Sequence, residues 1–291
     1  MRFAVFEINQ TVGLAVAGPD NVFRGFLSNE PGYPGPLEAL LQSGRTGLEY
    51  AAIRLAAGPL IALDEVTLLP PLPQPGKIIC VGLNYIDHSL ESGFAVPGYP
   101  TIFARFGSSL IGAGAPIIRP RVSTQLDYEG ELVAIIGKSG RHIAEADALT
   151  HVIGYSLFNE ASVRDYQTKS PQWTVGKNFD GTGAFGPYVV TADELPAGAR
   201  GLRLQTRLNG VVVQDASTDD MVFSVARLIS ILSVAITLSP GDIIVTGTPS
   251  GVGMARKPPL YMKPGDICEV EVEGIGILRN TVADEAGPPA A

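Results

Sequence analysis

The run LDYEGELVAII, residues 126–136, sets two acids at the mouth of an apolar segment. Its second part, continued as GELVAIIG, reads as a buried β-strand, a short continuous apolar run. Period two then places Glu129 and Glu131 side by side on one face, with Gly130 pointing the other way. Like charges so close repel unless water, a base or a cation sits between them. One reading is a solvated sheet edge. The other is a metal site, favoured by the buried run that follows the acids.

Outward from this strand the text is rich in short extended runs. Residues 1–20 read as an opening hairpin, RFAVFEI and TVGLAVA. Residues 36–57 carry apolar positions at helical spacing, with a break near Gly44, and the proline-dense LPPLPQPGK at 69–77 follows. It closes a small N-terminal domain of residues 1–72, leaving 73–291 as a larger one. In that part IICVGLNY, YPTIFARF, GPYVVT, LRLQTRLNGVVVQ, GDIIVTGTP and GDICEVEVEGIGILRNTV read as extended. DHSLESG reads as a brief helix, and AEADALTHVIGYSLFNEAS starts helical and ends extended. MVFSVARLISILSVAI carries a helical period. Strands and helices of 10–15 residues do not alternate regularly, which disfavours a doubly wound sheet. The expected fold is mixed α/β and β-rich, mostly antiparallel, with a frayed tail at EAGPPAA.

Composition narrows the partners. The 291 residues hold 29 Asp and Glu against 21 Lys and Arg, a formal charge of −8 with no basic patch. That balance argues against nucleic acid and against an anionic membrane. The N-terminus lacks a signal-peptide pattern, and no apolar run approaches the ~20 residues of a membrane helix. Cys80 and Cys268 lie in strand-like runs and read as buried thiols of a reducing compartment, so the expected location is cytoplasmic.

Glu160 closes the apolar run of GYSLFNEASVRDYQ (154–167) and would add a third carboxylate if the fold brings it near. Three carboxylates suit a hard divalent ion, Mg²⁺ or Mn²⁺ first and Ca²⁺ next. Zinc fits poorly because the chain has no Cys/His ligand spacing. His142 and His151 read as structural or solvated. His88 stands three residues before Glu91, a spacing at which a short helix pairs them; the pair is either a surface contact or an oriented proton acceptor. Lys177, in VGKNFD, could hold a substrate carboxylate, polarise a carbonyl, or be a solvated tip. The loop TGTPSGVG (246–253) could cradle an anion, but it matches neither the phosphate-binding loop nor the dinucleotide fingerprint. A serine-hydrolase elbow is missing as well.

Taken together these blocks resemble the fumarylacetoacetate hydrolase family, in particular its small acylpyruvate-hydrolase-like members. The likeness runs from about Lys77 to Asn280 and includes GLNYIDHSLE, LDYEGELVAIIGK, VIGYSLFNEASVRDYQ, VGKNFD and SPGDIIVTGTPSGVG. It implies a β-roll catalytic domain, preceded by a small variable α+β domain, in a homodimer. It implies a metal site of Glu129, Glu131 and Glu160, where the family usually has Asp at the third position, so Glu160 is a departure by one methylene. His88 and Glu91 match the family's catalytic dyad, carried on a lid that ESGFAVPGYP would continue. Lys177 and Gln167 match positions at substrate oxygens, Thr248 the threonine at the substrate carboxylate, and Arg105 a position where many relatives have Lys. Arg164 belongs to the same R-D-x-Q block and reads equally as structural. The implied activity is metal-dependent C–C hydrolysis of an acylpyruvate, with a small 2-oxo acid as partner. Alternatives are decarboxylation of an oxaloacetate-like acid, isomerisation of an unsaturated 2-oxo diacid, and a non-catalytic homodimeric scaffold.

Overall fold

Every residue of the strand Gly130–Ile136 is buried. Alternation sends Leu132, Ala134 and Ile136 into one apolar cluster and Val133 and Ile135 into a second. A strand covered on both faces needs apolar side chains at consecutive positions, which is why LVAII shows no polar alternation. The computed structural model describes residues 1–287 apart from Pro19, Ser92 and Phe94. Residues 288–291 of the tail, and Ser92 and Phe94 of the expected lid, lie outside the described residues.

This strand pairs antiparallel with Val152–Glu160 on one side and with Ile243–Val245 on the other. All three belong to an eleven-stranded sheet. Its main path runs Arg24–Leu27, Thr11–Ala17, Arg2–Ile8, Gly183–Thr191, Val152–Glu160, Gly130–Ile136, Ile243–Val245, Ile78–Gly82, Thr101–Arg105. A five-stranded sheet, in the order Val211–Ser217, Arg203–Leu208, Ile267–Val272, Gly276–Asp284, Ile117–Arg119, contributes Leu204, Val270 and Leu278 to the cluster that holds Leu132. The helix Val225–Ala235 adds Leu228, Ile229 and Leu232 at helical spacing. Parallel pairing joins Ile78–Gly82 to Ile243–Val245, Leu110–Ile111 to Gly183–Thr191, and Ile117–Arg119 to Gly276–Asp284. Most other neighbours are antiparallel, so the sheet-rich mixed α/β class expected from the sequence is the one observed.

The opening hairpin and the broken helix form where the sequence places them, as Arg2–Ile8 with Thr11–Ala17 and Leu37–Leu41 followed by Gly44–Leu55. They do not stand apart from the rest. Arg2 pairs with Val190, and Phe3, Leu14, Leu48 and Leu72 share the cluster of Val133 and Phe158. The sheet and this cluster thus both run across residue 72. Cys80 and Cys268 are free and buried on strands, as expected. Burial pushes the Cys268 thiol up to about 12.

Candidate active site

Strand register assembles the acids. Gly130 faces Asn159 and Glu131 faces Phe158, so Glu129 falls opposite Glu160, whose amide donates to the Glu129 carbonyl at 2.8 Å. Residues opposite one another share a face. Glu129, Glu131 and Glu160 therefore project together, and each offers an oxygen within 4.8 Å of the others. On the far side Val133 faces Val245, which carries the chain directly into the 246–253 loop, and the Gly247 amide donates to Glu131. The solvated-edge reading is excluded: all three acids are buried.

Buried charge must be compensated. Lys177 Nζ lies 2.8 Å from Glu129 Oε2 and 3.1 Å from Glu160 Oε2. Arg164 Nη1 lies 2.6 Å from Glu129 Oε1, and its Nε 2.8 Å from Asp127. Burial alone would raise the Glu129 carboxyl, but Lys177 and Arg164 outweigh it and hold it at about 2. Glu131 goes the other way: burial, then Glu160 and Glu129 beside it, push it well above the ordinary carboxylate range. Burial also works against the Lys177 ammonium, yet Glu129 and Glu160 keep its pKa above the usual lysine value. The solvated-tip reading of Lys177 is thus excluded too.

The same set fits a divalent cation. Glu160 Oε1 is buried without a hydrogen-bond partner among the described residues, and Arg105 Nη1 lies 3.9 Å from it. An orphaned carboxylate oxygen beside an acid pushed upward by two like neighbours marks a place short of positive charge. The oxygens on offer are all carboxylate, the donor type that hard divalent ions take.

The dyad borders the same cavity of about 240 Å³. His88 and Glu91 ride on the short helix Ile86–Glu91, with His88 Nδ1 2.9 Å from Glu91 Oε1. Both Glu91 oxygens in turn accept from the Gly251 amide at 3.0 Å. That chain fixes the ring and assigns the Nδ1 proton to the carboxylate side. The segment before the helix is held by Asn84, whose side chain bonds Phe223 at both backbone groups and the Thr246 carbonyl.

The structure brings together His88, Glu91, Glu129, Glu131, Glu160, Gln167, Lys177 and Thr248 around this cavity. Gln167 accepts from Arg164 at 2.9 Å, leaving its amide N–H groups to donate. Thr248 gives its hydroxyl proton to the Gly130 carbonyl and accepts from Gln214. Arg105 is placed elsewhere. Its guanidinium is buried behind Glu160, on Thr182 and Ser109 and over the Phe158 ring, and does not border the cavity. A cation there is placed to compensate the Glu160 charge. Sequence reading left Arg164 undecided and passed over Asp127. Asp127 is fully buried and accepts from Arg164 and from the Gly253 and Met254 amides, tying the 246–253 loop to the guanidinium. The signal was present, an acid buried between apolar residues in LDYE. His151 is structural, bonded to the Lys138 carbonyl, and His142 is exposed.

Comparison with known proteins gives a consistent picture. The family described as fumarylacetoacetate (FAA) hydrolase C-terminal matches residues 77–283. The oxaloacetate tautomerase Fahd2a of Rattus norvegicus is 43% identical over 255 residues, 87% of this chain and 81% of its own. It is named as mitochondrial, whereas the sequence reading points to the cytoplasm. A fumarylacetoacetate hydrolase from Exiguobacterium antarcticum superposes with a TM-score of 0.86 at 36% identity, covering 98% of this chain and 100% of its own. A maleylpyruvate hydrolase from Sphingobium does so at 0.80 and 28%, covering 98% and 100%.

Proposed function

The chain belongs to the fumarylacetoacetate hydrolase family, and from that premise we propose that it moves a proton on a small 2-oxo diacid, interconverting keto and enol forms of an oxaloacetate-like substrate. The observation that carries this reading is the position of His88. Its Nδ1 is committed to Glu91, and the ring borders the small cavity that also holds the three carboxylates. The cavity is below the ~300–1,000 Å³ typical of drug-sized ligands, which favours a compact substrate.

A divalent ion held by Glu129, Glu131 and Glu160 would supply Lewis-acid polarisation of the 2-oxo group. His88 exchanges a proton with the carbon next to that group, and Glu91 steadies the imidazolium as it forms. Arg164 Nη2 is buried without a partner among the described residues and is the spare donor for a substrate oxygen, alongside the Gln167 amide and Lys177. Asp127 and Glu129 keep the guanidinium in place. Thr248 also lines the cavity.

A second reading is hydrolytic C–C cleavage of an acylpyruvate. It is favoured by the apolar side of the cavity, Phe103, Trp173 and Met254, which suits an acyl group. The same dyad would then deprotonate water. The higher identity to a tautomerase puts proton transfer ahead of the hydrolysis that the sequence reading placed first.

The test is one assay with two readouts. Metal-stripped protein, then protein with Mn²⁺ restored, is given the enol form of oxaloacetate while enol absorbance and pyruvate are both followed. Metal-dependent loss of enol without pyruvate is the expected result. Pyruvate in equal amount would mean decarboxylation. Turnover of a simple acylpyruvate to pyruvate, with oxaloacetate untouched, would move hydrolysis to first place.

A further inference from the structure

Lys177 sits where two cations would be wanted. Its Nζ contacts Glu129 Oε2 and Glu160 Oε2, two of the three carboxylates that could hold the divalent ion. An ammonium and a metal ion draw on the same lone pairs. We propose that Lys177 is the resident counter-cation of the carboxylate triad and competes with the divalent ion for Glu129 and Glu160. The inference rests on the metal site of the proposed function and adds an order to it: metal loading loosens the ammonium, which then becomes free for the substrate.

Three further features support this. First, the backbone that carries Lys177 is fixed. Its amide donates to the Trp173 carbonyl at 3.1 Å, and the preceding Gly176 carbonyl accepts from Val163 at 2.9 Å. Gly176 packs so closely on Gln167 that an added Cβ would meet its Cα at 2.4 Å. The flexible four-carbon stem is therefore the part able to move. Second, the ammonium already lies over the Phe103 ring, whose centroid is 5.0 Å away on the cavity wall, so it keeps that contact as it loosens from the carboxylates. Third, Glu160 is divided between cations. Oε2 is on Lys177, while Oε1 has no hydrogen bond among the described residues and Arg105 lies 3.9 Å from it. Its carboxylate can leave the lysine without losing all compensation.

The experiment is a Mn²⁺ titration of the full chain and of Lys177→Met, reading free Mn²⁺ by electron paramagnetic resonance. Removing a positive charge beside two ligands should tighten Mn²⁺ binding by about tenfold or more. Metal-stripped Lys177→Met should melt below the parent, because two buried acids lose their partner, and Mn²⁺ should restore most of the difference. Parent protein that binds Mn²⁺, with Lys177→Met binding it equally or more weakly, would overturn the competition alone. Parent protein that binds no Mn²⁺ would remove the metal reading and this inference together. Should the variant fail to fold, parent protein with ¹⁵N-labelled lysine decides the matter. On addition of Mg²⁺ the Lys177 ammonium resonance should shift; a resonance unmoved at saturating Mg²⁺ sinks the proposal.

Discussion

His88 and the three carboxylates share one cavity but not their contacts. It touches Glu91, whereas the acids contact Lys177 and Arg164, so removing the imidazole should leave the carboxylates as they are. His88→Ala is expected to lower turnover by ~10²–10⁴-fold, the usual contribution of a positioned acid–base group. Mn²⁺ binding should match the parent. A titration showing weakened Mn²⁺ binding, or turnover at the parental rate, would remove His88 from the proton-transfer role. At this scale the sequence showed which residues have the right chemistry, including the His–Glu spacing and the acid pair. It did not show which cations stand beside them. Arg164 lies between Asp127 and Glu129, residues about forty positions earlier in the chain, and only the paired strands make them neighbours.

The helix that carries His88 and Glu91 is secured by the loop across from it. Gly251 has φ +103, and a Cβ there would lie 2.1 Å from the Val213 carbonyl oxygen. Its amide is also the group that both Glu91 oxygens accept from. Gly251→Ala therefore meets a forced left-handed backbone and a clash, an expected cost of roughly 1–3 kcal/mol. It should also displace the amide and so disorient the dyad. A lowered melting temperature together with a fall in turnover is the expected outcome. Unchanged stability would mean the loop relaxes without cost. The glycine pattern of TGTPSGVG announced a tight loop, but which amide anchors Glu91 depends on a helix some 160 residues earlier.

Across the whole molecule one sheet joins the first residues to the site. Arg2–Ile8 pairs with Gly183–Thr191, which pairs with the strand ending at Glu160. Deleting residues 1–72 would uncover Val133, Phe158 and Val189 and leave Gly183–Thr191 with a newly exposed edge. The shortened chain is expected to lack a cooperative thermal transition by circular dichroism, while a full-length control melts in one step. A cooperative, soluble fragment would show that residues 73–287 carry a self-sufficient core. Local pattern alone determined most of the longer strands, the helix of residues 225–235 and the chemical types of the site residues, because apolar period is a property of neighbouring positions, whereas the short strands Arg24–Leu27, Leu110–Ile111 and Ile117–Arg119 left no such pattern. Tertiary structure decided the rest: the continuity of the N-terminal hairpin with the sheet, the placing of Glu129 opposite Glu160, and the withdrawal of Arg105 behind that acid. Each depends on strand register, which is set by burial on both faces and by pairing between distant segments.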